Sequence, residues 1–338
     1  MKNKAVSIFL TVFVFSVFFT GCNMFGKDDE NNPTSSTTTG GGTTTTGTAS
    51  TSDQSDVEEA LANDDLFTQE MSDMLDEDES MMELSSKDDG FKLSPLSLID
   101  TTLPRAEYHQ RWRRQRTGLS NISKTLEFGK SGDTSYCNIT VARNITGLFW
   151  VDTTRDGIKN PGHKPFADTI THKWYFEKYP GRGWHLAKIS PREIKLTDTS
   201  KQKVFIDKIQ VVSNGQTVIE ITSPGQMILR DSLPLFTSGQ EVKVMATVRN
   251  TSPSYYPETF VFLHHFSAFG IHKRLKMVDD GTNGDDIAND GIWTGTWRVW
   301  GNLRHYAVID VLDSKCLQNQ TDDDYNSNAW GLPYRVIP

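Results

Sequence analysis

Cysteine, positive charge and long apolar runs are all scarce in this chain of 338 residues. Three Cys are too few for a thiolate-bound metal cluster. Asp and Glu outnumber Lys and Arg by 43 to 35, a formal net charge of -8. Phosphate backbones are gripped by basic faces, so this balance argues against a nucleic-acid partner. One apolar run stands out, Ala5 to Phe19. At about 15 residues it falls short of the ~20 needed to cross a bilayer as a helix, and fits the core of a signal peptide. No repeat of solenoid period is visible.

The run is preceded by Lys2 and Lys4 and stops at Phe19-Thr20-Gly21-Cys22. A bulky apolar residue, two small ones and a cysteine resemble the lipobox of bacterial lipoproteins, with Phe in place of the usual Leu. The resemblance implies that residues 1–21 are removed and that Cys22 carries two acyl chains on sulfur and a third on its amine. Each buried methylene contributes roughly 0.8 kcal/mol and a single chain holds only weakly, so several chains make a stable anchor. Residues 22–52 follow, mostly Thr, Ser and Gly. So little apolar surface cannot offset the entropy of ordering, which predicts a disordered tether. Within it, Lys27-Asp28-Asp29-Glu30 resembles the export signal that some Bacteroidota place after the lipidated Cys. That implies an outer-membrane location and display at the cell surface.

From Asp53 to Asp89 the chain holds 15 acidic residues and one Lys, yet keeps a helical spacing of apolar positions through Val57, Leu61, Leu66, Met71 and Leu75. This predicts one or two amphipathic helices, with Asp56 and Glu59 as the first N-cap and capping box. Met71, Met74, Met81 and Met82 read as core filler. Long alternating stretches then predict strands, clearest where Cys137, Ile139 and Val141 interleave with Tyr136, Asn138 and Thr140. Helices followed by antiparallel strands predict an α+β domain over 53–197, its helices packed on a curved sheet. The succession of "HKWYFEK" and "GRGWHLAKISP" resembles the nuclear-transport-factor-like, or ketosteroid-isomerase-like, cone fold, which implies a cavity between helix and sheet. Arg111, Arg113, Arg114 and Arg116 are expected to face the acidic helices, and "DTTRDG" (152–157) to be a hairpin loop rather than a calcium loop. His163, His172 and His185 share no metal-binding spacing.

Residues 198–338 read as seven or eight short strands separated by turn signals, hence an all-β sandwich. The segment "MVDDGTNGDDIANDGIWTGTWRV" resembles immunoglobulin-like domains of bacterial surface proteins, including choice-of-anchor domains. The resemblance implies a structural or adhesive module. Gly281, Gly284 and Gly291 suit a turn, while Asp279, Asp280, Asp285, Asp286 and Asp290 can supply hard oxygens to calcium. A turn is the first reading of this loop and a calcium site at Asp279, Asp280, Asp285 and Asp290 the second; no other cofactor is implied. Cys137 and Cys316 are expected to be two separate buried thiols. Adjacent His264 and His265 point to opposite faces of a strand and cannot share a metal.

The function expected is therefore a non-enzymatic binding or structural module, tied to the membrane through Cys22 and facing an envelope protein or a glycan. Two alternatives remain open. One is a carbohydrate platform made by Trp293, Trp297 and Trp300. The other is an enzyme in the cone, with Tyr108, His109, Asp168 and His172 as the residues able to do acid–base work.

Overall fold

Strands dominate the computed structural model, which describes residues 42–64, 111–153, 160–251, 259–266, 272–301, 303–320 and 323–338. The first half comprises β1 (Thr43–Thr46), α1 (Thr51–Ala62), β2 (Arg111–Leu119), β3 (Ser123–Ser131), β4 (Thr134–Asp152), β5 (Gly162–Tyr179), β6 (Gly183–Ile189) and β7 (Arg192–Leu196). The second comprises β8 (Val204–Ser213), β9 (Gln216–Ile221), β10 (Ile228–Leu229), β11 (Leu235–Thr237), β12 (Glu241–Asn250), β13 (Thr259–Phe266), β14 (His272–Lys276), β15 (Ile292–Arg298), β16 (Leu303–Asp313) and β17 (Ser327–Ile337). Thirteen strands make one mixed sheet, and β15-β12-β8-β9 make a second.

This corrects the expected α+β cone. One α-helix, α1, is present among the described residues, and the sheet beneath it does not end with β7. Arg192 to Lys195 of β7 pair with Gly331 to Asn328 of β17, so the sheet runs on through β17, β16, β13 and β14. All described residues belong to one compact unit, Gly40–Pro338. The second helix and the Met cluster expected before residue 90 lie outside the described residues, as do Cys22, the export-signal residues and most of the "DTTRDG" loop.

The frame is the β4–β5 hairpin, paired from Ser135–Lys178 to Val151–Gly162. Side chains alternate across a strand. In β4 the odd positions Cys137, Ile139, Val141, Ile145 and Phe149 are buried; in β5 the even positions Phe166, Asp168, His172, Trp174 and Phe176 are buried. β3 and β2 line successive halves of the outer edge of β4, and β6 and β7 do the same for β5.

Thr43 to Ser52, expected to belong to a disordered tether over 22–52, are ordered instead. Thr43–Thr46 pair in parallel with Lys124–Glu127 on the edge of β3, where the edge supplies the backbone partners that the local composition does not. Gly47 then turns at φ +85, and an added Cβ would collide with the Phe128 carbonyl oxygen. The helix starts six residues earlier than expected. Ser50, not Asp56, is the N-cap, and its hydroxyl accepts the Asp53 N–H at 3.1 Å. Asp53 also accepts from Lys178 Nζ at 2.5 Å and Trp184 Nε1 at 3.2 Å, and the bond to Lys178 above all lowers its pKa to about 2. Val57 and Leu61 are buried on the sheet side.

The second half is sandwich-like. Val204, Ile206, Val211, Val242, Val244 and Ala246 of the small sheet share one core with Val308, Ile309, Ala329 and Leu332 of the large one. Two buried Asn side chains clip the sheets together. Asn326 Oδ1 accepts from the Lys203 N–H at 2.9 Å, and Asn328 Oδ1 from the Ile206 N–H at 3.1 Å. The large sheet also folds back on itself. Arg274 of β14 donates to the Trp112 carbonyl of β2 at 3.1 Å, its guanidinium carbon lying 3.7 Å from the indole centroid. A second core cluster lies inside this bend, including Trp112, Phe149, Phe166, Phe262, Cys316 and Tyr325.

Candidate functional site

The bend encloses a chain of charged and hydrogen-bonding groups drawn from five elements. Arg114 (β2) is 1% exposed and Asp310 (β16) 0%. Arg114 grips Asp310 with both terminal nitrogens, at 2.6 and 2.9 Å, and donates to Tyr325 Oη and Ser327 Oγ at 3.0 Å each. Ser327 and His264 also contact Asp310, at 3.0 and 3.2 Å. Tyr325 passes its own O–H to Asp168 of β5 at 2.9 Å. Burial pushes the Asp310 carboxyl up, but the Arg114 charge and the His264 contact outweigh it and hold it well below the usual carboxylate range. Asp168 goes the other way: burial raises it to about 6 against the pull of Arg114 and Tyr325.

Arg114 therefore does not face the acidic segment as expected. Its acidic partner lies 196 residues along the chain. Arg113 instead stacks over Trp150, 5.4 Å from the ring centroid.

Of the four residues expected to serve an enzyme, two are described, and both are buried. Asp168 and His172 lie on one face of β5 but within the core, 1% and 3% exposed. His172 Nε2 donates to the Ser190 carbonyl at 2.8 Å, because its Nδ1 accepts from Arg192 Nε at 3.2 Å. Burial and the Arg192 charge keep this imidazole neutral. Tyr108 and His109 lie outside the described residues. His163 packs on Trp150 and His185 near Tyr179, so His163, His172 and His185 do not converge.

The Asp/Gly loop brings three of its four proposed ligands together. Asp279, Asp285 and Asp290 each place a carboxylate oxygen within 4.8 Å of the others. Asp280 stays out of this group and caps its own turn, accepting from the Thr282 N–H and hydroxyl at 2.9 and 2.6 Å. Three carboxylates are the right donors for a hard cation, but each also serves the backbone. Asp279 accepts from the Asp290 and Gly291 N–H groups, Asp285 from Gly281, and Asp290 from Ile292, all at 2.7–3.1 Å. Gly281, Gly284, Gly291, Asn283 and Asn289 have positive φ, which Gly and Asn tolerate best. Burial, with Asp285 and Asp290 close by, raises the Asp279 carboxyl.

Trp293 and Trp297 share one face of β15, but Trp297 is 4% exposed and packs into the core, so they form no exposed pair. Cys137 and Cys316 are free, buried thiols, each pushed up to about 12 by burial. Among the described residues, a cleft of about 330 Å³ lies where β8 and the Thr222–Pro224 turn overlie the β7–β17 pair. Sequence reasoning missed both this cleft and the buried network. The network had one signal: Asp310 interrupts the apolar strand "YAVIDVL", where an acid inside a core needs a cation. The cleft had none, because its walls are joined by long-range pairing. No protein-family model matches the chain, and no curated protein matches it significantly.

Proposed function

We propose that this chain is a lipid-anchored module of a bacterial envelope, held at the outer membrane through Cys22 and facing the surface, and that it binds or spaces without chemistry of its own. The observation that carries the non-enzymatic part is the state of Asp168, His172 and His264. All three are at most 3% exposed and bonded to other core residues. General acid–base work requires such a group within hydrogen-bonding reach of a substrate. The anchor rests on Gly21-Cys22 following the short apolar run.

Cys22→Ala tests the anchor. The wild type is expected in the membrane fraction and labelled by a clickable palmitate analogue. The variant is expected in the soluble fraction and unlabelled. A variant that stays in the membrane overturns the anchor.

A further inference from the structure

We infer that the cleft between β7–β17 and β8 is a binding site for a neutral, polyhydroxylated ligand, a mono- or disaccharide unit of a glycan. The inference rests on the reading above that the chain is a binding module, and it names the ligand class and the place. At about 330 Å³ the cleft lies at the low end of small-molecule sites, which run to roughly 300–1,000 Å³. It is large enough for one or two sugar rings.

The lining selects the class. Two carboxylates, Glu193 on β7 of the large sheet and Asp207 on β8 of the small one, line it. Glu193 Oε2 is held by Lys195 Nζ at 2.9 Å, and its Oε1 has no partner among the described residues. Asp207 takes Arg249 at 3.1 and 3.2 Å, an exposed pair, and each of its oxygens keeps a lone pair for another donor. The exposed Thr222 and Ser223 bring hydroxyls to the rim, and Ser223 Oγ accepts from the Gly225 N–H, leaving its proton to donate. Trp330, directly opposite Glu193 across the strand pair, is 3% exposed and only closes the floor, while the half-buried Phe205, with the Arg249 guanidinium 4.6 Å from its ring centroid, lines the wall.

Other ligand classes fit worse. An anion would meet two carboxylates and a single lining cation, Lys195, that Glu193 already neutralises. A purely apolar molecule would bury these carboxylates and hydroxyls without hydrogen bonds, which is costly. A sugar offers hydroxyl donors to the carboxylates and acceptors to Ser223 and Lys195.

The probe is an array of neutral mono- to tetrasaccharides, with calorimetry on the best hit and chromatography of that sugar after overnight incubation. Saturable binding is expected, weakened at least about tenfold by Asp207→Ala and by Glu193→Ala, since each loses charged hydrogen bonds. Glu241→Ala, at an exposed position outside the cleft, should bind as the wild type does. Asp207 is exposed, so its variant tests the site without disturbing the core. No binding across the array, or binding that both cleft variants retain, overturns the inference and leaves the lipid-anchor reading intact. Recovery of the sugar unchanged is expected; cleaved sugar would overturn the non-enzymatic reading while still placing a saccharide in this cleft.

Discussion

Replacing Arg114 by Met should destabilise the protein by about 3–5 kcal/mol at pH 7, the cost typical of leaving one member of a buried ion pair alone. Both side chains are closed to water, and Arg114 makes four hydrogen bonds to Asp310, Tyr325 and Ser327. Met keeps the apolar stem among the Trp112, Phe149 and Tyr325 rings that surround the guanidinium at 5.3–6.0 Å, so little packing is lost. What remains is a buried Asp310 with Ser327 and His264 as its partners. Domains are stable by roughly 5–15 kcal/mol, so the loss is readable by urea denaturation. The pH dependence supplies a sign that misfolding would not. In the wild type the Asp310 carboxyl is held low, so its contribution is present above the unfolded value near 4 and is lost as pH falls further. Without Arg114, burial pushes it up, and the deficit of the variant should shrink between pH 7 and pH 5. A double replacement, Arg114→Met with Asp310→Leu, should cost less than the two single costs added together, because no lone charge stays buried. A single variant within about 1 kcal/mol of wild type, with an unchanged pH profile, would refute the role given to this pair.

Three further outcomes are expected. Asp168→Asn keeps an acceptor for Tyr325 but loses the charge. Moving that carboxyl from 3.8 to about 6 costs the ionised wild type about 3 kcal/mol, at roughly 1.4 kcal/mol per tenfold, so stability present below pH 4 is lost as pH rises through 6. Denaturation at pH 4 and pH 7 should therefore favour the variant progressively, and a constant difference would be the contrary result. In the Asp/Gly loop, Asp279→Asn turns an amide against one of the two N–H groups it caps and should cost about 1–3 kcal/mol. Asp290→Asn can still accept from Ile292 and should melt like wild type; a melting point raised by millimolar calcium and lost in both variants would instead make these carboxylates a cation site. Expression of residues 198–338 alone should give a poorly folded product, seen as broad urea transitions, because Asp310 loses Arg114 and β17 loses β7; a sharp transition would contradict this.

The parts legible in the sequence are those governed by local rules. Alternation of side chains identified the faces of β4 and β5, since a strand with one buried side writes its burial into every second residue. Turn residues marked the strands of the second half, and the Asp/Gly loop was recognised as a strand connection; of the four ligands expected there, the structure brings Asp279, Asp285 and Asp290 together and leaves Asp280 out. The helix was expected, but its start was placed at Asp56. Ser50 sits inside a Thr/Ser/Gly stretch whose composition masked it, and the backbone partners of Thr43–Thr46 come from β3, some 80 residues away.

Long-range pairing was not legible, and it decides the architecture. Nothing near Arg192 announces that β7 will take β17 as a neighbour, and the pattern of either strand alone is satisfied by many partners. The ion pair has the same character. Arg114 and Asp168 come from one half of the chain, while His264, Asp310, Tyr325 and Ser327 come from the other. A buried carboxylate is tolerable when a cation and hydroxyls reach it, so each half carries groups whose burial makes sense when the other is present. The same interlocking forms the cleft, whose Glu193 and Trp330 are opposed across the β7–β17 pair while Phe205 and Asp207 arrive on β8. An α+β cone and an independent sandwich would have separated these walls. The continuity of the sheet and the existence of the cleft are one structural fact.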